Sequence, residues 1–178
     1  RLNGLIPKII DHRENMYVYK YINGEILSKC VNLPIFERLL NEMCEFWKGH
    51  PLSKVDEEEF KNKCFDFYHN KTLKRIDNYC IKYNYEDQEE IINGVEVPTI
   101  KELIEKINWE NISNGIPVSF HGDLHFENIL LTEEAKFLLL DWRQNFAGLL
   151  DYGDLFYDFA KLLHGIIVSH EMINNNLF

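Results

Sequence analysis

The 178-residue sequence predicts an α+β fold. Three observations lead there. β-rich runs with two-residue alternation open the chain. Apolar residues at helical spacing fill its middle. Two short apolar runs, PVSF at 117–120 and FLLLD at 137–141, flank a segment dense in histidines and acids. The length suffices for one sizeable core, or for two small lobes sharing an interface. Composition is that of an ordinary globular protein, 46% hydrophobic and 27% charged, without low-complexity tracts or repeats.

The elements follow in order. IPKII at 6–10 and MYVYKYI at 16–22 read as an antiparallel pair around the polar turn DHREN at 11–15. Tyr17, Tyr19 and Tyr21 share one face of the second run, and Asn23-Gly24 breaks it. A helix opens at Leu33, where Pro34 suits the first turn. Phe36, Leu39, Leu40, Met43 and Trp47 form its apolar stripe. A second helix starts near Asp56, with Asp56 and Glu59 fitting a cap and its reciprocal partner. Phe60, Cys64 and Phe67, continued by Lys71, mark its inner face, and the pattern runs to about Tyr83.

YEDQEE at 85–90 reads as a solvated loop, and IINGVEV at 91–97 as a tight Asn-Gly hairpin. Thr99 and Glu102 make a capping box for the short helix TIKELIEKI. Beyond FLLLD, a last helix runs from about Asp154 with Leu155, Phe159, Leu162 and Ile166 on its buried face.

A net charge of −10 argues against nucleic acid and anionic membranes as partners, since both require a basic face. Cys30, Cys44, Cys64 and Cys80 form no CxxC pair, so reduced thiols in a cytoplasmic protein are expected rather than a zinc site. No apolar run approaches the ~20 residues of a membrane span, and no signal-peptide pattern is present. The chain opens at Arg1 inside what reads as a structured element. A longer parent protein is therefore expected, with the rest of the first sheet before Arg1.

The chemistry concentrates in HGDLHFENIL at 121–130. Carboxylates beside buried strands require a cation or a partner. Asp123 and Asn128 stand five residues apart after one strand, and Asp141 ends the next. That order is the order of a kinase catalytic loop, an Asp, an Asn five residues later with four between them, and a later metal-binding Asp. Phosphoryl transfer needs a carboxylate to orient and deprotonate a hydroxyl, and hard oxygen ligands for Mg²⁺. Asp123 fits the base; Asn128 and Asp141 fit the metal. His121 and His125 stand four apart, but zinc pairs at this spacing sit on a helix. Gly122 after a strand, and the absence of HExxH, argue against that reading.

SFHGDLHFENILL, FLLLDW and YGDLFYDFAKL together resemble the aminoglycoside phosphotransferase and choline kinase family of small-molecule kinases. The resemblance is close from His121 to about Leu163 and looser over IPKIIDHRENMYVYKYINGE. It implies a protein-kinase-like, two-lobed fold. Residues 1–27 would end the N-terminal lobe and form the hinge, and 28–178 would form a mainly helical C-terminal lobe. It implies ATP and Mg²⁺ as cofactors and a small-molecule hydroxyl as acceptor: a sugar, an amino sugar or an amino alcohol such as choline. Asp123 becomes the catalytic base, with Asn128 and Asp141 as Mg²⁺ ligands. His121 braces the loop, and Asp158 accepts hydrogen bonds from it. The alternative for Asp158 is a helix-surface pair with Lys161 at i+3. Backbone groups of Lys20, Tyr21 and Ile22 would bind adenine.

The chain departs from the family pattern in places. Phe126-Glu127 replaces a small pair, and Arg143 follows Asp141-Trp142 where it could meet a phosphate or pair with Asp151 or Asp154. The Gly-rich phosphate loop and strand lysine of such kinases would precede Arg1. DWRQNFAGLLDYGDLFYDFAKLLHG also resembles phosphotransferase-type proteins of bacterial surface-polysaccharide clusters, which points to a sugar-linked acceptor. Two rival classes are a catalytically silent kinase-like binding module and a metal-dependent phosphohydrolase.

Overall fold

A computed structural model describes residues 2, 4–14, 16–168 and 170–177. Its elements are mixed α and β, with four small sheets among the described residues. The chain divides into two compact units, residues 1–51 with 116–178, and residues 52–115.

The first unit opens with the antiparallel hairpin β1 (Ile9–Arg13) and β2 (Met16–Tyr19). The expected pair is there, but the first strand is displaced toward the polar residues. Strand β1 takes up Asp11, His12 and Arg13, and its register slips between Ile9 and Asp11. All five β1 residues are exposed, so the polar side chains cost nothing by pairing there. Upstream, Leu5 is occupied elsewhere, its carbonyl accepting from the Leu139 amide at 2.7 Å. Asn15, the last residue of the expected turn, lies outside the described residues.

Strand β3 (Gly24–Ile26) leads into the single turn α1 (Leu27–Cys30) and then α2 (Leu33–Phe46). The side chain of Asn32 caps α2 by accepting from the Ile35 amide, and Pro34 sits in the first turn. Leu39, Met43, Phe46 and Trp47 are buried, and Phe36 and Leu40 pack at the edge of the same core.

The second unit holds α3 (Lys54–Phe65), a π-helical turn (Asp66–Asn70) and α4 (Lys71–Tyr83). Here the helix begins earlier than Asp56. Ser53 is the cap, accepting from the Asp56 amide, because a hydroxyl three residues ahead satisfies an otherwise orphan N–H. Phe60, Cys64 and Phe67 are buried as the stripe predicts, and the Lys71 ammonium lies 3.9 Å from the Phe67 ring centroid. The unit continues with hairpin β4 (Glu90–Ile92) and β5 (Val95–Val97), then α5 (Ile100–Glu105) and α6 (Trp109–Ile112). Asn93 and Gly94 both take positive φ, the twisted turn that the Asn-Gly pair favours. The Thr99–Glu102 capping box is formed. The acidic loop before the hairpin is more than a solvated face. Asp87 accepts from the amides of Ile100 and Lys101 at 2.7 and 3.0 Å, supplying charge to the α5 N-terminus.

The first unit resumes with β6 (Pro117–Val118), a 3₁₀ turn (Phe126–Asn128), β7 (Ile129–Thr132), β8 (Phe137–Leu139), β9 (Gly153–Asp154), α7 (Leu155–Ile167) and α8 (His170–Asn174). Strands β3, β7 and β8 form one antiparallel sheet with β7 central, and β6 pairs with β9. Asp154 caps α7, its Oδ1 accepting from Phe156 and also from the Ile116 amide at 2.9 Å.

Helix α7 corrects one expectation. Leu162 is buried, but Phe159 and Ile166 are 42% and 54% exposed. The inward face instead carries Asp158, Lys161, Leu162 and Gly165. At Gly165 an added Cβ would stand 3.2 Å from the Phe126 nitrogen and 3.3 Å from the His125 Cβ. The helix approaches the 121–128 loop through a polar stripe, which an apolar-periodicity argument does not register. No helix among the described residues is long and apolar enough to cross a membrane.

Candidate active site

The site begins where the chain leaves β6. Gly122 turns it with φ +87°, and a Cβ there would lie 2.5 Å from the Arg143 Cβ and 3.0 Å from the Phe120 ring. Neither neighbour is the free end of a flexible side chain. Gly122→Ala is expected to cost about 1–3 kcal/mol of backbone strain, with repulsion from Arg143 added to it. A lowered melting midpoint checks this, and an unchanged midpoint would show that the loop adopts another path at no cost.

His121 is fully buried and ties the loop to the strand that follows it. Its Nε2 lies 2.9 Å from the Leu140 carbonyl, and the Asp123 amide lies 3.2 Å from its Nδ1. A carbonyl only accepts and an amide N–H only donates, so the ring is neutral with its proton on Nε2. Two backbone bonds continue the stitching. The Leu140 amide donates to the Asn128 carbonyl, and the Arg143 amide to the His121 carbonyl, each at 2.8 Å. Residues 140 to 143 are thereby pinned along the loop, and Asp141 stands between the two pins with φ 52°.

Beneath the loop, Asp158 is fully buried. Its Oδ2 accepts from the His121 amide at 2.9 Å and from the Trp47 indole at 3.1 Å. Its Oδ1 accepts from the Gly122 amide at 2.7 Å. Three donors from two elements thus converge on one carboxylate. This buried arrangement replaces the surface pair with Lys161 that i+3 spacing allows.

Lys161 goes to Asp123 instead. Its Nζ stands 2.6 Å from Asp123 Oδ1. Burial pushes the Asp123 carboxyl up, but the hydrogen bond and charge of Lys161 more than offset this and hold it below the usual carboxylate range. Asp123 is therefore ionised at neutral pH and able to accept a proton.

Asn128 sits at the end of the 3₁₀ turn. Its Nδ2 donates to the Asp123 carbonyl at 3.0 Å. Since that carbonyl can only accept, the amide orientation is fixed and Oδ1 points the other way, with no hydrogen bond among the described residues. Nδ2 also lies 3.2 Å from His125 Nε2, which must then be an acceptor. His125 Nδ1 donates to Glu127 Oε2 at 2.9 Å. Glu127 thus orients His125, and Phe126 packs edge-on against Phe36 of α2 at 5.8 Å. The bulky Phe126-Glu127 pair anchors the loop to the core and fixes a ring tautomer.

Asp141 makes no hydrogen bond or ion pair among the described residues, and it is exposed. Next to it, Trp142 stacks on Tyr17 of β2 at 5.2 Å. Arg143 Nη1 reaches the Tyr157 hydroxyl at 3.4 Å. No group of three or more His, Cys, Asp or Glu side chains among the described residues could hold a metal ion. The oxygens that fit Mg²⁺ are one carboxylate and one amide, Asp141 and Asn128 Oδ1. Mg²⁺ requires few protein ligands when phosphates and water complete its shell.

A cavity of about 290 Å³ is lined by Pro7, Tyr19, Tyr21, Ile22, Gly24, Ile26, Leu130 and Leu140. Its walls are mostly apolar. Tyr21 and Ile22 are among its residues; Lys20 instead lines a separate hollow with Lys8, Ile9 and Ile10. The structure therefore joins Asp123, Asn128, His121 and Asp158 in one bonded cluster and ties Asp141 to it through Leu140 and Arg143. Lys161, Trp47 and the His125–Glu127 pair are additions. The i+3 spacing of Lys161 from Asp158 puts both on one helix face but does not name the target of either.

The sequence model of a phosphotransferase enzyme family matches residues 3–173. No curated protein and no solved structure matches the chain.

Proposed function

We propose, because the chain belongs to the phosphotransferase enzyme family, that it is a small-molecule kinase transferring the γ-phosphoryl group of ATP to a hydroxyl. The observation that carries this reading is the bonded cluster of Asp123, Asn128 and His121 beside Asp141. In it an ionised carboxylate shares a loop with Asn128, and backbone bonds from Leu140 and Arg143 tie the Asp141 segment to that loop. Asp123 orients the acceptor hydroxyl and accepts its proton as that oxygen attacks phosphorus. Asn128 Oδ1 and the Asp141 carboxylate would hold Mg²⁺. When bound, the ion neutralises phosphate charge and aligns the nucleotide. His121 and Asp158 keep the loop backbone in place.

The adenine would occupy the cavity of Tyr21 and Ile22, between backbone groups and the apolar side chains of Leu130 and Leu140. On this reading residues 1–27 belong to the N-terminal lobe and hinge, and 28–178 to the C-terminal lobe. The acceptor is a sugar, an amino sugar or an amino alcohol. The stretch around Asp141 to Gly165 favours a sugar-linked one.

The test is incubation of the full-length protein with Mg·ATP and a panel of sugars, amino sugars and amino alcohols. ADP release and the phosphorylated acceptor are both followed. Acceptor-dependent ADP with a matching phosphorylated product is the expected result. Equal ADP release without any acceptor would instead make the protein a phosphohydrolase. Nucleotide binding without turnover would make it a silent module.

A further inference from the structure

The geometry points to Lys161 as a positioning residue: it anchors Asp123 Oδ1 so that Oδ2 faces the acceptor hydroxyl. This rests on the phosphotransfer reading above and names a group that the catalytic-loop motif does not contain. The two oxygens of Asp123 are held unequally. Oδ1 has the Lys161 ammonium at 2.6 Å, while Oδ2 has only the Asn128 Nδ2 at 3.4 Å and the His125 Nε2 at 3.7 Å. The loosely held oxygen is the one available to accept a new hydrogen bond.

Magnitudes separate this role from a structural one. The side chains of Lys161 and Asp123 are 31% and 34% exposed. A pair so open to solvent contributes little to stability. It also costs the rotamer freedom of a long side chain. Stability therefore gives little reason for the contact, whereas catalysis gives a strong one. A reacting group misplaced by ~1 Å loses on the order of 10²-fold in rate. The other groups facing Asp123 cannot substitute for Lys161. His121 is neutral and receives the Asp123 amide, His125 is engaged with Glu127 and Asn128, and Asn128 donates mainly to the backbone carbonyl. Lys161 is in turn carried on the helix face that holds Asp158 and Gly165 against the same loop.

A double-mutant cycle in the full-length enzyme tests the assignment. Lys161→Met is expected to lower kcat on the order of 10²-fold, with KM for ATP and the melting midpoint nearly unchanged. Lys161→Arg should recover part of the loss. In an Asp123→Ala background, Lys161→Met should have no further effect, because its target is gone. Multiplicative losses in the double variant would overturn the assignment and put Lys161 on the phosphoryl group itself. A lowered midpoint with unchanged kcat per folded molecule would reduce it to a structural contact. If Lys161→Met does not fold, Lys161→Gln takes its place in the cycle. A wild-type enzyme that phosphorylates no acceptor would remove the functional reading and this inference together; multiplicative losses in an active enzyme would remove only this one.

Discussion

Asp123→Asn in the full-length enzyme is expected to cut turnover by ~10²–10⁴-fold, the usual cost of losing a general base. Nucleotide affinity should barely change. The carboxylate faces Lys161 and the loop, and its amide replacement keeps the shape while removing the charge that accepts the proton. Asp141→Asn is expected to behave differently. It removes the charge of a proposed Mg²⁺ ligand, so nucleotide affinity and turnover should fall together, and added Mg²⁺ should restore part of both. Turnover and nucleotide affinity measured against Mg²⁺ concentration for the two variants decide the matter. If magnesium rescues Asp123→Asn, or if the two variants cannot be told apart, the roles assigned to these carboxylates are wrong.

Asp158→Ala is expected to lose stability and activity together. The substitution leaves the His121 and Gly122 amides and the Trp47 indole as buried donors without their acceptor. Each unsatisfied buried group costs about 1–3 kcal/mol, so the sum is a large share of the ~5–15 kcal/mol that holds a domain folded. Activity per folded molecule should also fall, because the bonds that shape the turn at Gly122 are gone. Asp158→Asn should be intermediate in stability, since its remaining carbonyl still accepts while its NH₂ confronts a donor. Thermal melting alongside rates at matched folded fraction checks both parts. A shift within the ~0.5 kcal/mol usual for surface substitutions would return Asp158 to an exposed helix position.

The parts of this site that were legible in the sequence are those whose chemistry is local. His121, Asp123 and Asn128 lie within eight residues of one another, and their spacing alone puts a base, a brace and an oxygen donor on one turn. Thr99 is legible as a cap because capping is a short-range rule. The misses share a different origin. Lys161 pairs across 38 positions, and nothing in the local pattern distinguishes that from a solvated helix charge. Ile166 continues the apolar stripe yet is exposed, while Gly165 beside it faces the 121–128 loop. The shift of β1 onto Asp11, His12 and Arg13 was invisible for a similar reason. Strand propensity reports burial on a pleated surface, and that hairpin is exposed throughout.

Helix α7 also acts as a gauge. Asp158 grips the peptide groups at positions 121 and 122, and three residues further along Lys161 grips the side chain at 123. An α-helix advances ~1.5 Å and turns ~100° per residue, so the separation between these two grips is set by the helix rather than by the loop. Inserting or deleting a single residue between them would swing one grip off the face that carries the other, although every functional side chain would still be in the chain. The tolerance of this protein to length variation should therefore be lowest inside one turn of a helix that lies outside the 121–130 loop it holds in place.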